Sequence, residues 1–500
     1  MTFPPLVPAP VRVDVDATGA PLLLSSGFRL AGDAATGDLA RERIRARTGL
    51  IETAGAAHPV VELTIADGAP ESYTIHVDSH GAQLVGADSA GLAHATATLT
   101  QLLIESDAGW MLPAVDIEDA PRFAYRGVML DVARHFHPVE TVFAYIDGAA
   151  ALKFSHLHLH LTDDQGWRLE LARRPELTAL ASDSAIGGAN GGYYSREDYA
   201  RIVACAARQH MTVVPEIDVP GHTHAVGLAY PELAADPVIS TTVAEDAATF
   251  GGGLPVPGQP YTGFAVGFSS LRINDDATYA FLTDVFGELA EMTPGPYIHL
   301  GGDECLGTDP ADYARFIARA SDIVRATGKT PIAWHEAGSA AGIDASTIGQ
   351  YWGYVVPQEG ADDRARAFVE RGAQLILSPA DAAYLDMKPT DDFPLGLPWA
   401  RGATSLADSY DWDPAAIIDG VGDAEILGVE APLWTETVVT LADIHALVYP
   451  RIAAIAEIAW SPRVHDERQW DSFRQRVAAL APGWDAAGIP FWRSNEVDWR

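Results

Sequence analysis

Cysteine is nearly absent: Cys205 and Cys305 are the only two in 500 residues. Two thiols cannot build a disulfide framework, so the expectation is reduced cysteines or at most one long-range bridge. Basic residues are scarce as well, 33 Lys and Arg against 68 Asp and Glu, for a formal net charge of -35. Nucleic acid and anionic membrane both select a basic surface, so neither is expected as a partner and a neutral substrate fits more easily. No apolar run approaches the roughly 20 residues that span a bilayer. Met1 to Pro10 lacks the basic start and apolar core of a secretory signal. The expectation is a cytoplasmic chain, although a secreted one trimmed of its leader would read the same way. Short repeats and low-complexity tracts are missing too, apart from glycine-rich loops at Gly187 to Gly192 and Gly251 to Gly258.

What is present is apolar content for a large core, 48% of residues, in a chain long enough for at least two domains. Up to about Arg122 the pattern is mixed. Alternating runs at Val60 to Ile65, Ser72 to Val77 and Ala82 to Val85 surround one good helix, Ala90 to Ile104. This reads as a small α+β domain over residues 1–120, closed by Asp119-Ala120-Pro121-Arg122, where proline breaks either element.

Over residues 121–500 apolar strand-like runs alternate with helical stretches. The runs are Gly127 to Val132, Ser155 to Leu161, Thr212 to Asp218, Tyr297 to Gly302, Pro331 to Trp334, Thr347 to Trp352, Gln374 to Ser378 and Ile426 to Trp434. Helices are expected at Pro138 to Lys153, Arg196 to Gln209, Thr278 to Met292, Pro310 to Ala326 and Arg364 to Arg371. Eight such units suggest an α/β chain with a (β/α)8 barrel, whose functional groups stand at the C-terminal strand ends, here followed by a C-terminal tail. The span exceeds the usual barrel and leaves room for long loops such as Glu232 to Ser270.

Those strand ends carry the unusual residues. His299-Leu300-Gly301-Gly302-Asp303-Glu304 sets two adjacent carboxylates behind a glycine pair. A strand sends successive side chains to opposite faces, so the two can share a pocket only where the strand has ended and glycine permits a turn. A lone Asp-Glu pair is more often a solvated turn or a helix cap. The context shifts that balance, because His158 to Arg168 and Val213 to His222 break off in the same way. Retaining glycosidases place two carboxyls about 5 Å apart across the sugar's reactive carbon, which neighbouring residues reach with difficulty. If both act on a sugar, the attacking group comes from the substrate.

From about Tyr125 to Pro462 the chain resembles the family 20 glycoside hydrolases, the β-N-acetylhexosaminidases. The matching stretches are Arg126 to Asp131 with Arg134-His135-Phe136, His158 to Trp167, Pro215 to His222, His299 to Glu304, Trp334, Gln350-Tyr351-Trp352, Tyr384-Leu385-Asp386 and Trp434-Thr435-Glu436. The resemblance implies removal of terminal β-linked N-acetylglucosamine or N-acetylgalactosamine with retention, assisted by the substrate's own amide, and without metal or cofactor. It implies Glu304 as general acid and then base, Asp303 as the group that orients the amide N-H and stabilises an oxazolinium, and Tyr384 as the hydroxyl on the amide oxygen. Arg134, Glu436 and Asp386 would hold ring hydroxyls, through charge-assisted hydrogen bonds. Trp334, Trp352 and Trp434 would wall the sugar pocket. Asp163 and His222 are expected at that pocket and, with Asp218, beneath Glu304. Each has a plainer reading as well: a core tryptophan or tyrosine, a paired charge, a structural histidine. Trp399 and Trp412 are candidates for the aglycone.

Two other functions stay open on residues alone. His156, His158 and His160 share one strand face and could bind zinc in an amino-sugar deacetylase. A sugar-binding protein that has lost catalysis is the second. Oligomeric state, the natural glycan and the gluco or galacto preference are not legible.

Overall fold

Strict alternation builds the N-terminal sheet. Strand Tyr73–Val77 buries Tyr73, Ile75 and Val77 while its other side chains face solvent, and Val115–Asp119 beside it does the same. The sheet runs in the order Arg12–Val15, Val115–Asp119, Tyr73–Val77, Gly81–Gly86, Val60–Ile65, Arg29–Gly32. Two helices pack on it, Ser89–Leu102 and Ala34–Thr48, where one was expected. The second is so polar that only Thr36, Gly37, Leu39, Ala40 and Ile44 turn inward, leaving little periodic signal. The computed structural model describes residues 4–499 apart from residue 25, residues 56–57, residue 464 and residues 466–467.

The barrel strands are β1 (Tyr125–Asp131), β2 (His156–His160), β3 (Thr212–Glu216), β4 (Tyr297–His299), β5 (Thr330–Trp334), β6 (Ile348–Tyr351), β7 (Leu375–Leu377) and β8 (Ile426–Leu433). All neighbours are parallel, and β8 closes on β1 with Tyr125 opposite Gly428. Covered on both faces, these strands read as near-continuous apolar runs, which is why all eight were expected where they lie. Helices Val139–Ala151, Arg196–Arg208, Asp276–Met292, Pro310–Ala326, Ala361–Glu370 and Arg451–Trp460 form the outer ring. Their starts are capped as the sequence dictates: Ser195 and Asp198 form a reciprocal box, and Asp309 precedes Pro310. Between β5 and β6 the ring lapses to a single 3₁₀ turn, His335–Ser339. Among the described residues no helix is long and apolar enough to cross a membrane.

The barrel interior is layered. Tyr125, Val214, Ile332 and Ile376 make an apolar floor. Above them His158, Glu216, His299, Gln350 and Glu430, fully buried, make a charged middle. Met129, Trp334, Tyr384, Met387 and Trp434 line the mouth. The N-terminal sheet is bolted on from outside: Lys153 Nζ donates to Asp119 Oδ2 (2.8 Å) and Tyr73 Oη (2.7 Å), and Trp460 Nε1 donates to Asp119 Oδ1 (2.9 Å). Both cysteines are free thiols.

Candidate active site

After β4 the backbone leaves strand geometry at once. Gly301 and Gly302 take φ of +70° and +103°, and Glu304 itself takes +46°. Glycine is required at 301, because a Cβ there would collide with Asp218 Oδ1. That oxygen accepts the Gly302 N–H at 2.9 Å, and Tyr313 Oη donates to the Gly302 carbonyl at 2.5 Å. The left-handed Glu304 backbone costs about 1–2 kcal/mol. In return, successive carboxyls turn to one side: His222 Nε2 lies 3.4 Å from Glu304 Oε2 and 3.7 Å from Asp303 Oδ2.

Behind His222 runs a buried column of alternating acids and imidazoles. His222 Nδ1 is 3.2 Å from Asp163 Oδ1, and Asp163 Oδ2 meets His160 Nε2 at 2.8 Å and Arg134 Nη2 at 2.9 Å. His160 Nδ1 reaches Glu216 Oε2 at 2.5 Å, and His158 bridges Glu216 (3.1 Å) to Glu430 (2.9 Å). Tyr125 Oη donates to Glu430 Oε2 at 2.5 Å and ends the column. Burial opposes charge on every imidazole here, yet the flanking carboxylates prevail. They hold His158 at about 9, His160 at about 10 and His222 well above its ordinary value. Asp163, in spite of burial, is held well below the carboxylate range by Arg134 and His222.

This changes the reading of the histidine strand. His160 meets carboxylates with both ring nitrogens, and His158 hydrogen-bonds Glu430 through Nδ1 with Nε2 3.1 Å from Glu216, so carboxylates on other strands surround both imidazoles. His156 stacks on Tyr125 at 4.1 Å, with Nδ1 against Ser155 Oγ.

On the opposite side aromatic rings converge. Trp334 and Trp434 lie 6.1 Å apart, Tyr384 is 6.3 Å from Trp434, and Trp399 stands edge-on to Tyr384 (5.7 Å) and Trp352 (6.1 Å). Trp334 donates its N–H to Glu216 at 3.0 Å. Arg134 lies 4.7 Å over Trp434, and Asp386 Oδ1 accepts the Trp434 backbone N–H at 3.4 Å. Burial, then the neighbouring Glu436, push Asp386 well above the carboxylate range, and burial lifts Glu436 to about 7 although Arg134 opposes it. Asp303 is likewise raised, first by burial. Four buried polar atoms at the mouth, Arg134 Nε, His222 Nε2, Asp303 Oδ1 and Asp386 Oδ2, have no hydrogen-bond partner among the described residues, as befits a pocket for a hydroxylated ligand.

Most of the expected residues therefore gather at one barrel mouth, with Trp412 the one correction. Asp218 lies against Asp303 and Gly302 as well as in the His222 cluster, while His222, held by Asp163, is the group that approaches Glu304. Trp412 is buried away from the mouth, donating to Ser409 O, so it cannot meet an aglycone. Glu336 was missed. It accepts the Trp352 N–H at 3.0 Å, and burial, then the Asp303 charge, push it up to about 8. A carboxyl two residues past a strand end, beside Trp334, was the available signal.

The family model described as Glycosyl hydrolase family 20, catalytic domain, matches residues 123–310 and 307–463, and that of Glycosyl hydrolase family 20, domain 2, matches residues 4–120. The chain is 39% identical over 507 residues to a beta-N-acetylhexosaminidase of Cellulomonas fimi, covering 99% of this chain and 97% of that protein. A solved glycoside hydrolase family 20 beta-N-acetylglucosaminidase superposes with a TM-score of 0.92 at 56% identity, with both chains fully covered. The Streptomyces plicatus N-acetyl-beta-hexosaminidase in complex with thio-NAglucal gives 0.90 at 40% identity, covering 100% of this chain and 98% of that one.

Proposed function

The chain belongs to glycosyl hydrolase family 20, and we propose on that footing that it removes terminal β-linked N-acetylhexosamine by retaining, substrate-assisted hydrolysis. One observation carries the mechanism: Asp303 and Glu304 stand on the same imidazole edge. A double displacement needs its acid and its nucleophile on opposite faces of the anomeric carbon. Two carboxyls meeting at one imidazole nitrogen fit the substrate-assisted chemistry that membership of family 20 implies, in which the oxygen that attacks is the substrate's own acetamide carbonyl.

Glu304, half-exposed at the mouth, gives its proton to the leaving oxygen and then takes one from the attacking water. His222, anchored by Asp163, fixes its position. Asp303 accepts the amide N–H through its unpartnered oxygen and, once ionised, stabilises the oxazolinium charge. Tyr384 donates to the carbonyl oxygen and so aims it at the anomeric carbon. Trp334, Trp352 and Trp434 exclude water from the cation, which strengthens the contact with Asp303. Arg134, Asp386 and Glu436 hold ring hydroxyls. The test is turnover of 4-nitrophenyl β-N-acetylglucosaminide by the purified protein, with release of the β-anomer of N-acetylglucosamine. Binding of the sugar without turnover contradicts the proposal.

A further inference from the structure

Of the three tryptophans at the mouth, two are locked from behind. Trp334 and Trp434 are 1% and 8% exposed, and the Trp334 N–H is held by Glu216 in the charged middle layer. Trp352 differs. It is half-buried at the end of β6, and its N–H reaches Glu336 Oε2 at 3.0 Å. Glu336 can reach it because the 3₁₀ turn His335–Ser339 replaces a full helix after β5 and keeps that side chain at the barrel mouth. The indole also packs against the buried cluster of the mouth that holds Trp334, Tyr384 and Trp434, with the rings of His335 at 5.4 Å and of the partly exposed Trp399 at 6.1 Å beside it. The hydrogen bond from Trp352 to Glu336, between two neighbouring strand ends, thus orients the most exposed of these three walls.

We propose that Glu336, by pinning Trp352, fixes the depth of the acyl pocket and so restricts the enzyme to N-acetyl over longer N-acyl groups. The inference rests on Trp352 being a wall of the acetamide pocket. Its chemistry is consistent with the neighbouring Asp303. Below about pH 8 the Glu336 carboxyl is neutral, so it accepts the indole proton without placing a second anion beside the developing cation. Glu336 is a positioning residue: it acts through Trp352 and touches no reacting atom.

The experiment compares kcat/KM for 4-nitrophenyl glycosides of N-acetyl- and N-propionylglucosamine in the wild type, Glu336→Gln and Glu336→Leu. A fixed pocket rejects one extra methylene by about tenfold or more. Gln keeps an acceptor for the indole and is expected to retain that ratio. Leu removes it, and the ratio is expected to fall to within about threefold. Trp352→Phe, which lacks the N–H, should follow the leucine variant, and calorimetric binding of the two free sugars should repeat the pattern without turnover. An unchanged ratio in folded Glu336→Leu overturns the inference and leaves the hydrolase reading intact. Loss of the ratio in the glutamine variant overturns it as well, since the acceptor is still there. A wild type that leaves the N-acetyl glycoside uncut overturns both readings.

Discussion

Glu336→Gln should also change how stability responds to pH. The folded protein holds this carboxyl at about 8, through burial and the Asp303 charge, whereas the unfolded chain releases its proton near 4.5. The sign follows from linkage: the contribution is fully present below 4.5 and is lost as the pH climbs through about 8. Across that window the unfolded state binds one proton fewer, so stability falls by about 1.4 kcal/mol per pH unit, or about 3 kcal/mol by pH 7. That is a sizeable part of the roughly 5–15 kcal/mol that holds a domain together. For 500 residues the unfolding entropy is about 1 kcal/mol per degree, which converts the slope to about 1 °C per pH unit. Glutamine has no proton to exchange. The assay is calorimetric melting of both proteins at pH 5, 6, 7 and 8. The variant's melting temperature should gain on the wild type by about 3 °C across that range. Parallel curves for the two proteins would refute the assignment of Glu336 as a half-buried, proton-retaining carboxyl.

Three further outcomes are expected. Glu304→Ala should depress turnover most for poor leaving groups, since an activated phenol needs little protonation, and equal losses across a leaving-group series would contradict its role as acid. Asp303→Asn should lower kcat on N-acetyl substrates by about 10²–10³, the usual cost of a lost transition-state contact, and nearly normal turnover would remove Asp303 from the mechanism. Lys153→Met strips the cation from a fully buried pair and leaves Asp119 to neutral donors, Tyr73, Trp460 and the Val11 and Ala120 N–H groups. Its cost should be about 3–5 kcal/mol, seen as an earlier melt of the junction between sheet and barrel, and an unshifted melt would contradict that bolt.

The barrel was legible because parallel strands buried on both faces write long apolar runs, and the eight expected strands all lie within three residues of those observed. The Asp303-Glu304 turn was legible from its glycines. What escaped was pairing between strands. His158 and His160 looked like metal ligands on their own strand, because Glu216 and Glu430, which claim their nitrogens, lie 56 and 272 residues away in the chain. Glu336 escaped for the same reason: its partner Trp352 sits on the next strand end. That Asp218 also holds Asp303 and the Gly302 N–H was not legible, because residue spacing does not say which neighbour a loop turns toward. Trp412 was misplaced because a tryptophan between Asp411 and Asp413 reads as an exposed loop, whereas its ring packs into the core. The helix Ala34–Thr48 shows the limit of periodicity when few side chains are buried.

The claim that matters most is that the substrate's carbonyl oxygen is the nucleophile. Glycosides carrying N-acetyl, N-fluoroacetyl, N-difluoroacetyl and N-trifluoroacetyl groups grade the electron density on that oxygen while leaving the scissile bond alone. The expected result is a steep, monotonic fall in kcat with each added fluorine. A kcat independent of fluorine number would mean that a protein carboxylate makes the attack, and would contradict the account.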